Sequence, residues 1–403
     1  MSSPHASAPS QHTSVTGLSA SALLLMAIAC GLCAGGNYFN QPLLHSIASA
    51  LSVSEATAAL TVTVAQAAYG CGLLFLVPLG DRFEQRGLVV TLMVLAAIGH
   101  FISGFTNDIG LLFTGIVIAG LFSVAAQIMV PMAAALSEPA RSGRAVGVVM
   151  SGLLIGILAA RSVAGLLSEI AGWHTVYRVS GCVMLLVALA LWRILPRAHS
   201  QAKLGYLRIL LSMGQLIRDL PRLRSRSLAS ALAFASVSAL FSTMALLLSG
   251  PQYGLNDMQI GLIGLVGVAG ALMANVAGRL GDRGRAHETS VGCAILLFIS
   301  WGCLWLGSSS MLWFLLGLLL IDLGLQGLHL SNQQIVYALM PEARARINAV
   351  YMTVYFIGAA LGSALGSAAW HVGGWDAICV TGIVLALLTG IALWRDRYYS
   401  GPK

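Results

Sequence analysis

Long apolar runs separated by short polar segments fill almost the whole chain after residue 20. Each run is long enough to span a membrane as a helix, because about 20 apolar residues, rising about 1.5 Å each, cross a hydrocarbon core of about 30 Å. We therefore predict an all-α membrane protein with twelve transmembrane helices. The predicted spans are 20–44, 56–79, 88–106, 109–136, 144–171, 174–195, 228–250, 257–280, 288–307, 311–339, 346–370 and 374–395.

The composition is that of a chain solvated by lipid. Hydrophobic residues make up 58% of the 403 residues and charged residues only 9%, whereas a soluble globular chain carries about 25% charged residues. The 7 cysteines lie inside apolar runs, which argues against a disulfide framework. Cys30 and Cys33 have the spacing of a metal or redox pair, but no second ligand pair is near them in the sequence. We predict no metal and no cofactor.

Lys and Arg residues lie almost entirely in alternate polar segments, including Arg82 and Arg86 after the second span and a basic segment at 196–227. Positive residues stay preferentially on the cytoplasmic side of a membrane. We therefore predict a bacterial inner-membrane protein with both termini in the cytoplasm. The net charge of +8 is then a topology signal that needs no nucleic-acid partner, and it is compatible with contact between the basic segment and membrane lipid.

The two halves of the chain repeat each other at an offset of about 200 residues. Leu79-Gly80-Asp81-Arg82 returns as Leu280-Gly281-Asp282-Arg283, and Gly172-Trp173 returns as Gly374-Trp375. Repeats that run in the same direction predict two pseudo-symmetric six-helix bundles related by an axis along the membrane normal. The predicted organisation is a disordered cytoplasmic tail at 1–19, bundles at 20–195 and 228–395, a basic cytoplasmic linker at 196–227 and a second tail at 396–403.

The repeated loop carries a recognisable signature. Its second copy is Gly278-Arg279-Leu280-Gly281-Asp282-Arg283-Gly284-Arg285, and its first copy has Val77 and Glu84 at two glycine positions of the signature. On these residues the chain resembles the major facilitator superfamily over essentially its whole length after residue 20. The segment 37–44 resembles the branch of this family that contains drug and sugar exporters.

The resemblance implies a major facilitator fold in which these loops control the switch between inward-facing and outward-facing states. The loop residues that would act in gating are Asp81, Arg82, Arg86, Gly278, Asp282, Arg283 and Arg285. An aspartate near a helix N-terminus and arginines paired across the bundle interface would suit that role. The alternative is that the loops only anchor the topology.

Two charged residues, Arg161 and Asp322, stand deep within predicted spans, where charge is costly and usually functional. Asp322 begins a polar stripe on one face of the tenth span. The polar stripe consists of Asp322, Gln326, His329 and Gln333. Such a face must line a water-filled path or the bundle interior, and its Asp and His can exchange protons. A purely structural hydrogen-bond network is the alternative.

Arg161 lies among small residues of the fifth span that resemble the glycine-rich signature of the family's exporters, and it occupies the usual proline position. From their depths, an ion pair between Arg161 and Asp322 is compatible with the sequence. Ile116 stands where proton-coupled exporters often carry an arginine, which weakens their standard proton relay. Further residues predicted to face a substrate cavity are Asn37, Tyr38, Gln41, Gln127, Tyr351 and Tyr355, with helix packing as the alternative.

These features predict a secondary active transporter, most simply an exporter of a small molecule driven by a proton gradient. The chain has no phosphate-binding loop of the Gly-x-x-x-x-Gly-Lys-Ser/Thr type and no hydrolase motif, so we predict no enzymatic activity. Alternatives are an importer or facilitator of a small metabolite, and a receptor or scaffold that transports nothing. The expected partners are the substrate, protons and membrane lipid, and the expected state is a monomer.

Overall fold

The computed structural model describes residues 18–138, 141–197, 205–267, 273, 276–277, 279–280, 283–340 and 343–397, apart from the side chains of Asp81 and Ala345. Within these ranges the chain folds into helices, which confirms the predicted fold class. The helices of the first half are α1 (Ala20–Gly35), α2 (Leu44–Leu51), α3 (Glu55–Phe75), α4 (Gln85–Phe105), α5 (Ile109–Phe122), α6 (Ala125–Ala135), α7 (Ser142–Ala171) and α8 (Trp173–Ile194).

The second half follows the same order after a helix in the central segment. Its helices are α9 (Tyr206–Asp219), α10 (Pro221–Phe241), α11 (Met244–Ser249), α12 (Asp257–Ile263), α13 (Ala286–Leu306), α14 (Met311–Leu339) and α15 (Arg344–Asp396). Among the described residues, 10 helical stretches are long and apolar enough to cross a membrane. One of them, Arg346–Asp396, holds two predicted spans, and the shorter apolar stretch Asp257–Gly267 begins the eighth.

The corners between the last two spans of each half use the repeated Gly-Trp pair. Gly172 has a φ of 81° between α7 and α8, and Gly374 has a φ of 57° inside α15, where the helix is interrupted. A positive φ is accessible to glycine without steric cost, so the chain reverses at these two positions. The repeat seen in the sequence is therefore also a repeat of backbone geometry.

Among the described residues, the helix is broken within the first, fourth and seventh spans, and the eighth span changes from α to 3₁₀ helix at Gly264. The first span breaks after Gly35 into two short 3₁₀ helices, Gly36–Tyr38 and Gln41–Leu43, before α2 begins. The seventh span breaks at Ser242–Thr243 between α10 and α11, at the position that corresponds to the first break, and the fourth span breaks between α5 and α6. In transporters such interruptions are tolerated where the backbone lines the protein interior.

Corresponding helix pairs of the two halves, α1 with α7 and α10 with α15, pack at backbone distance. In the first half, a Cβ added to Gly156 of α7 would lie 2.3 Å from the Gly31 carbonyl oxygen of α1. In the second half, a Cβ added to Gly358 of α15 would lie 2.2 Å from the Ala231 carbonyl oxygen of α10. Small residues at these positions allow the close approach that stabilises helix pairs in lipid.

The halves meet along two seams. Along the first, Ser162 of α7 donates to the Gly261 carbonyl oxygen at 2.9 Å. Along the second, Thr63 of α3 donates to Ser363 of α15 at 2.9 Å. The two seams are related by the same offset of about 200 residues as the sequence repeat. The space enclosed between them is where the candidate site lies.

The central segment differs from the predicted linker in its details. It contains the amphipathic helix α9, which buries Ile209, Met213 and Leu216, and α10 begins at Pro221, before the predicted span start at 228. Residues 1–17, 198–204 and 398–403, which include most of both predicted tails, lie outside the described residues. The predicted domain boundaries stay predictions.

Candidate functional site

Arg161 of α7 lies between the break in the first span and the break in the seventh span. Its Nε donates to Oε1 of Gln41 at 2.7 Å, and its guanidinium lies 3.8 Å from the ring centroid of Phe241 and 5.3 Å from that of Tyr38. Gln41 and Tyr38 belong to the break in the first span, and Phe241 ends α10 at the break in the seventh. The two irregular segments therefore hold a cation that is only 6% exposed.

Asp322 of α14 comes to the same region from the other half and is 9% exposed. The opposite charges of Arg161 and Asp322 attract each other, but these two described side chains form no ion pair within 4.0 Å. The Oδ2 atom of Asp322 is buried without a hydrogen-bond partner among the described residues. Arg161 and Asp322 therefore do not form the direct ion pair considered from the sequence. Their opposite charges attract each other over a distance greater than that of an ion pair.

A 3₁₀ helix in the eighth span, Gly264–Gly267, packs against both charged side chains. A Cβ added to Gly264 would lie 3.0 Å from Cδ of Arg161, and one added to Gly267 would lie 2.6 Å from Oδ2 of Asp322. A Cβ at either position would require the neighbouring charged side chain to move. Gly264–Gly267 therefore lines the region around Arg161 and Asp322, which we call the charged region.

Two further members of the polar stripe, His329 and Gln333, contact the eleventh span. The His329 ring lies 4.5 Å from that of Tyr355 and 5.5 Å from that of Tyr351, and the Tyr351 hydroxyl lies 3.1 Å from Nδ1 of His329. Gln333 lies 3.9 Å from the Met352 sulfur, and Gln326 is half-buried. His329 and the two tyrosines thus form an aromatic wall beside Asp322.

Further aromatic rings extend this wall towards the first half. Tyr355 stacks on Phe234 of α10 with ring centroids 4.1 Å apart. Phe356 contacts Tyr69 of α3 at 4.5 Å across the second seam. The hydroxyl of that tyrosine accepts a hydrogen bond from Gln127 at 3.3 Å. Gln127 is therefore connected to the second seam by its hydrogen bond to Tyr69.

Asn37 belongs to the same interior but bonds locally. Its Nδ2 donates to the Cys33 carbonyl oxygen at 3.4 Å, and its Oδ1 atom is buried without a partner among the described residues. The structure thus brings Tyr38, Gln41, Arg161, Asp322, His329, Tyr351 and Tyr355 into one interior region. Asn37, Gln127 and Gln333 contact Cys33, Tyr69 and Met352, respectively.

The first signature loop is held within its own half. Glu84, at a signature glycine position, caps α4 by accepting from the backbone nitrogens of Arg86 at 2.9 Å and Gly87 at 2.8 Å. The Arg86 side chain donates to the Leu195 carbonyl oxygen at 3.1 Å and lies over the Trp192 ring. Glu84 thus replaces the glycine with a helix cap.

In the ranges described, Arg82, Arg283 and Arg285 make no hydrogen bond or ion pair between the halves. Arg82 and Arg283 are exposed, and Arg285 pairs with Glu288 of its own helix at 2.7 Å. The side chain of Asp81 and residues Gly278 and Asp282 lie outside the described residues. A gating role for these loops stays a prediction.

Two buried acidic residues were missed from the sequence because they stand at span ends. Asp257 begins α12 and accepts hydrogen bonds from Ser46 at 2.5 Å and Ser168 at 2.7 Å, both in the first half. Asp396 ends α15 and pairs with Arg226, which is completely buried although its position suggested a loop. The available signal was the rarity of acidic residues, of which the chain has 14.

A separate groove of about 840 Å³ lies on the flank of the first half, between α1, α7 and α8. Its lining is apolar except for Arg144, Ser151 and Ser180, and it contains none of the predicted cavity residues. It is therefore distinct from the charged region around Arg161.

Proteins named as transporters resemble this chain in sequence. It is 46% identical over 378 residues to "Uncharacterized transporter YgaY" of Escherichia coli O157:H7, covering 94% of this chain and 96% of that protein. It is 31% identical to "Probable transporter SCO4007" of Streptomyces coelicolor, covering 91% and 85%. A "Probable sugar efflux transporter" of Helicobacter pylori is 25% identical and covers 86% and 87%.

Solved transporter structures share the fold. The nucleoside transporter NupG aligns with a TM-score of 0.76 at 12% identity, covering 93% of this chain and 98% of that one. A bacterial homologue of the human lysosomal transporter Spinster, in an inward-facing and occupied conformation, aligns with a TM-score of 0.70 at 16% identity, covering 93% and 96%. These likenesses concern the fold alone.

The helical fold and the sequence relatives define this protein as an integral membrane transporter. The family model of the Major Facilitator Superfamily matches residues 26–363. The chain belongs to the Major Facilitator Superfamily.

Proposed function

We propose that the protein is a secondary active exporter that moves a small molecule across the bacterial inner membrane in exchange for protons. The observation that carries the proposal is the pair of opposite charges buried between the halves, Arg161 from the first half and Asp322 from the second. Charges at this depth are retained where they bind substrate or ions. The substrate would bind between them, against the aromatic wall of His329, Tyr351 and Tyr355.

Proton exchange is assigned to Asp322. It is the one carboxyl group of the polar stripe, it is buried, and its Oδ2 atom has no hydrogen-bond partner in the described part of the chain. A carboxyl group beside a guanidinium changes its attraction to that cation when it takes up a proton. Proton binding and substrate binding would therefore compete for the same charged region.

The contacts of Asp257 bear on which side of the membrane the halves are joined. In the predicted orientation, the bonds from Ser46 and Ser168 to Asp257 join the halves at the periplasmic ends of their spans. A cavity closed on that side would exchange substrate with the cytoplasm, a state through which exporters and importers both pass. Export is favoured by the resemblance to a protein named as a probable sugar efflux transporter.

The loop residues Arg82, Arg86, Arg283 and Arg285 would then act on the cytoplasmic side during the switch between states. In the present state they bond within their own halves or are exposed. Both termini would lie in the cytoplasm, in line with the distribution of basic residues, and the monomeric state stays a prediction.

Replacing Asp322 by asparagine tests the proposal. Everted membrane vesicles are energised, and the proton gradient is followed by acridine orange fluorescence while sugars and lipophilic drugs are added one at a time. The unchanged protein should let at least one compound dissipate the gradient, and Asp322→Asn should lower that initial rate about tenfold or more, because an amide cannot bind and release the proton. Asp219→Asn, an exposed carboxylate in α9, is the matched control.

An unaltered rate in Asp322→Asn, at equal protein level, would rule out this residue as the proton carrier. An importer would instead accumulate the compound in intact cells. A receptor would bind the compound in detergent and show no flux in proteoliposomes.

A further inference from the structure

A fully buried ion pair lies in the second half, away from the two charges assigned to transport. Arg226 of α10 and Asp396 of α15 both have side chains that are 0% exposed. The Nε and Nη2 atoms of Arg226 donate to Oδ2 of Asp396 at 2.8 Å and 2.6 Å. A buried guanidinium is tolerated when its donors are satisfied in this way.

The remaining donors of Arg226 bind two other helices. Its Nη1 atom donates to Oδ1 of Asn332 in α14 at 2.9 Å and to the Ser290 hydroxyl in α13 at 3.3 Å. Its Nη2 atom also lies 2.5 Å from Nδ1 of His287. Because arginine only donates, that nitrogen accepts, and the His287 proton is on Nε2. One side chain thus fixes four helices relative to each other.

The cluster is connected to the aromatic wall by hydrogen bonds. Asn332 Nδ2 donates to the Ser230 hydroxyl at 2.8 Å. Ser230 and the Tyr351 hydroxyl are 2.7 Å apart. The Tyr351 hydroxyl in turn lies 3.1 Å from Nδ1 of His329 and 3.2 Å from the His329 carbonyl oxygen. A continuous chain of bonds therefore runs from Asp396 to His329.

The chemistry of this chain favours fixing side chains over moving protons. A guanidinium stays protonated in proteins, and an amide has no proton that it readily gives up. Proton transfer between Asp396 and His329 would have to pass through both Arg226 and Asn332. What the chain does instead is fix the orientation of its members, since each of the links Arg226–Asn332, Asn332–Ser230 and Ser230–Tyr351 is a buried hydrogen bond.

We propose that the Arg226–Asp396 pair is a positioning unit that sets the orientation of Tyr351 and His329 at the transport site. Asn332 and Ser230 transmit the position of the ion pair to the tyrosine hydroxyl, and the tyrosine holds the histidine ring. This inference rests on the proposed role of His329 and Tyr351 in the transport cavity. It adds Ser230, Asn332, Arg226 and Asp396 to the residues on which that cavity depends.

The test measures the reactivity of His329 directly. Purified protein in detergent is treated with diethyl pyrocarbonate, and the modification rate of each histidine is followed by peptide mass spectrometry. Ser230→Ala removes the link between Asn332 and Tyr351 while leaving the ion pair intact. We expect the modification rate of His329 to rise about three- to tenfold, the change that corresponds to one lost hydrogen bond.

His100 is the internal control because it is a buried histidine of the first half, 1% exposed, far from the cluster in the chain. Its rate should not change in Ser230→Ala. Asp396→Asn should raise the His329 rate in the same direction, and Asp219→Asn should leave both rates as they are. An unchanged His329 rate in a folded Ser230→Ala protein overturns the proposal, even if Asp396→Asn fails to fold.

The same variants separate this inference from the transport proposal. If His329 becomes more reactive in Ser230→Ala but no compound dissipates the proton gradient with the unchanged protein, the positioning unit stands and the exporter assignment fails. If a compound is transported, Ser230→Ala should raise the KM for that compound severalfold with little change in the maximal rate. Unaltered KM together with an unaltered His329 rate counts against the unit.

Discussion

At the scale of single residues, the most informative property of this chain is the scarcity of charge. Arg161 and Asp322 stand out because almost nothing else in their spans is ionised. Their partners could not be predicted, because Phe241 and Gln41 reach Arg161 only where two separate spans break. The looser arrangement of Arg161 and Asp322 likewise depends on Gly264 and Gly267, whose packing depends on the tertiary fold.

Arg161→Lys tests the need for a guanidinium at this position. Lysine keeps the charge but cannot donate from Nε to Gln41 or lie flat on the Phe241 ring. We expect the initial transport rate in everted vesicles to fall about tenfold, since a buried cation–π contact and a charged hydrogen bond together contribute about 2 kcal/mol. A lysine variant with the parental rate would reduce Arg161 to a generic positive charge.

The burial of a charged residue at the end of a span was not predicted from the sequence. Arg226 was counted with the basic residues of the central loop, because positive residues next to a span usually anchor topology. In the structure it is enclosed by Asp396, Asn332 and Ser290. Burial of this kind depends on four helices arriving together, and hydropathy along one segment carries no information about that.

At the scale of elements, the spans themselves were predictable, and their interruptions were not. The apolar run at 20–44 gives the first span its length, but its break after Gly35 follows from local chemistry. Pro42 lacks a backbone N–H, and its ring opposes the helix carbonyl four residues earlier, at Tyr38, where the first 3₁₀ helix ends. The break that brings Gln41 to Arg161 therefore has a local cause, whereas its use depends on the fold.

The close helix pairs predict a difference between two kinds of glycine. Gly358→Ala should destabilise the protein by about 1–3 kcal/mol, because its Cβ would overlap the Ala231 carbonyl oxygen. Gly302→Ala, in α13, meets nothing within 4 Å and should leave the melting temperature unchanged or slightly higher. Thermal unfolding of both variants in the same detergent provides the measurement, and equal melting temperatures would contradict the packing argument.

At the scale of the whole molecule, the sequence repeat predicted two related bundles, and the structure adds how they meet. The first seam joins α7 to α12 and the second joins α3 to α15. At one end of the first seam, Asp257 joins three spans by accepting hydrogen bonds from Ser46 and Ser168. The state of the halves could not be read from the sequence, because both states use the same helices.

Removing the Asp257 carboxylate should shift the molecule towards the state that opens at this end. Spin labels at Ser49→Cys and Gln252→Cys, both exposed, in a chain with the exposed Cys71 and Cys182 replaced by serine, report the separation by pulsed electron resonance. Asp257→Ala should add a population at longer distance, because two bonds to a charged acceptor, worth about 1.5–3 kcal/mol each, are lost.

Asp376→Ala serves as the control for the spin-label measurement, since it removes an exposed carboxylate from the same predicted side of the membrane. Its distance distribution should match that of the parent. Identical distributions for Asp257→Ala and the parent would show that Asp257 does not hold the halves together.

The seam between α7 and α12 is built from backbone and hydroxyl groups. Gly165 rests on the Asp257 carbonyl oxygen, and Gly261 rests on that of Arg161. When such surfaces separate, hydrogen bonds to water replace those that are lost, and little apolar surface becomes exposed. The two arrangements of the bundles can then differ by only a small free energy, so that the binding of one proton or one solute is enough to reverse which of them predominates.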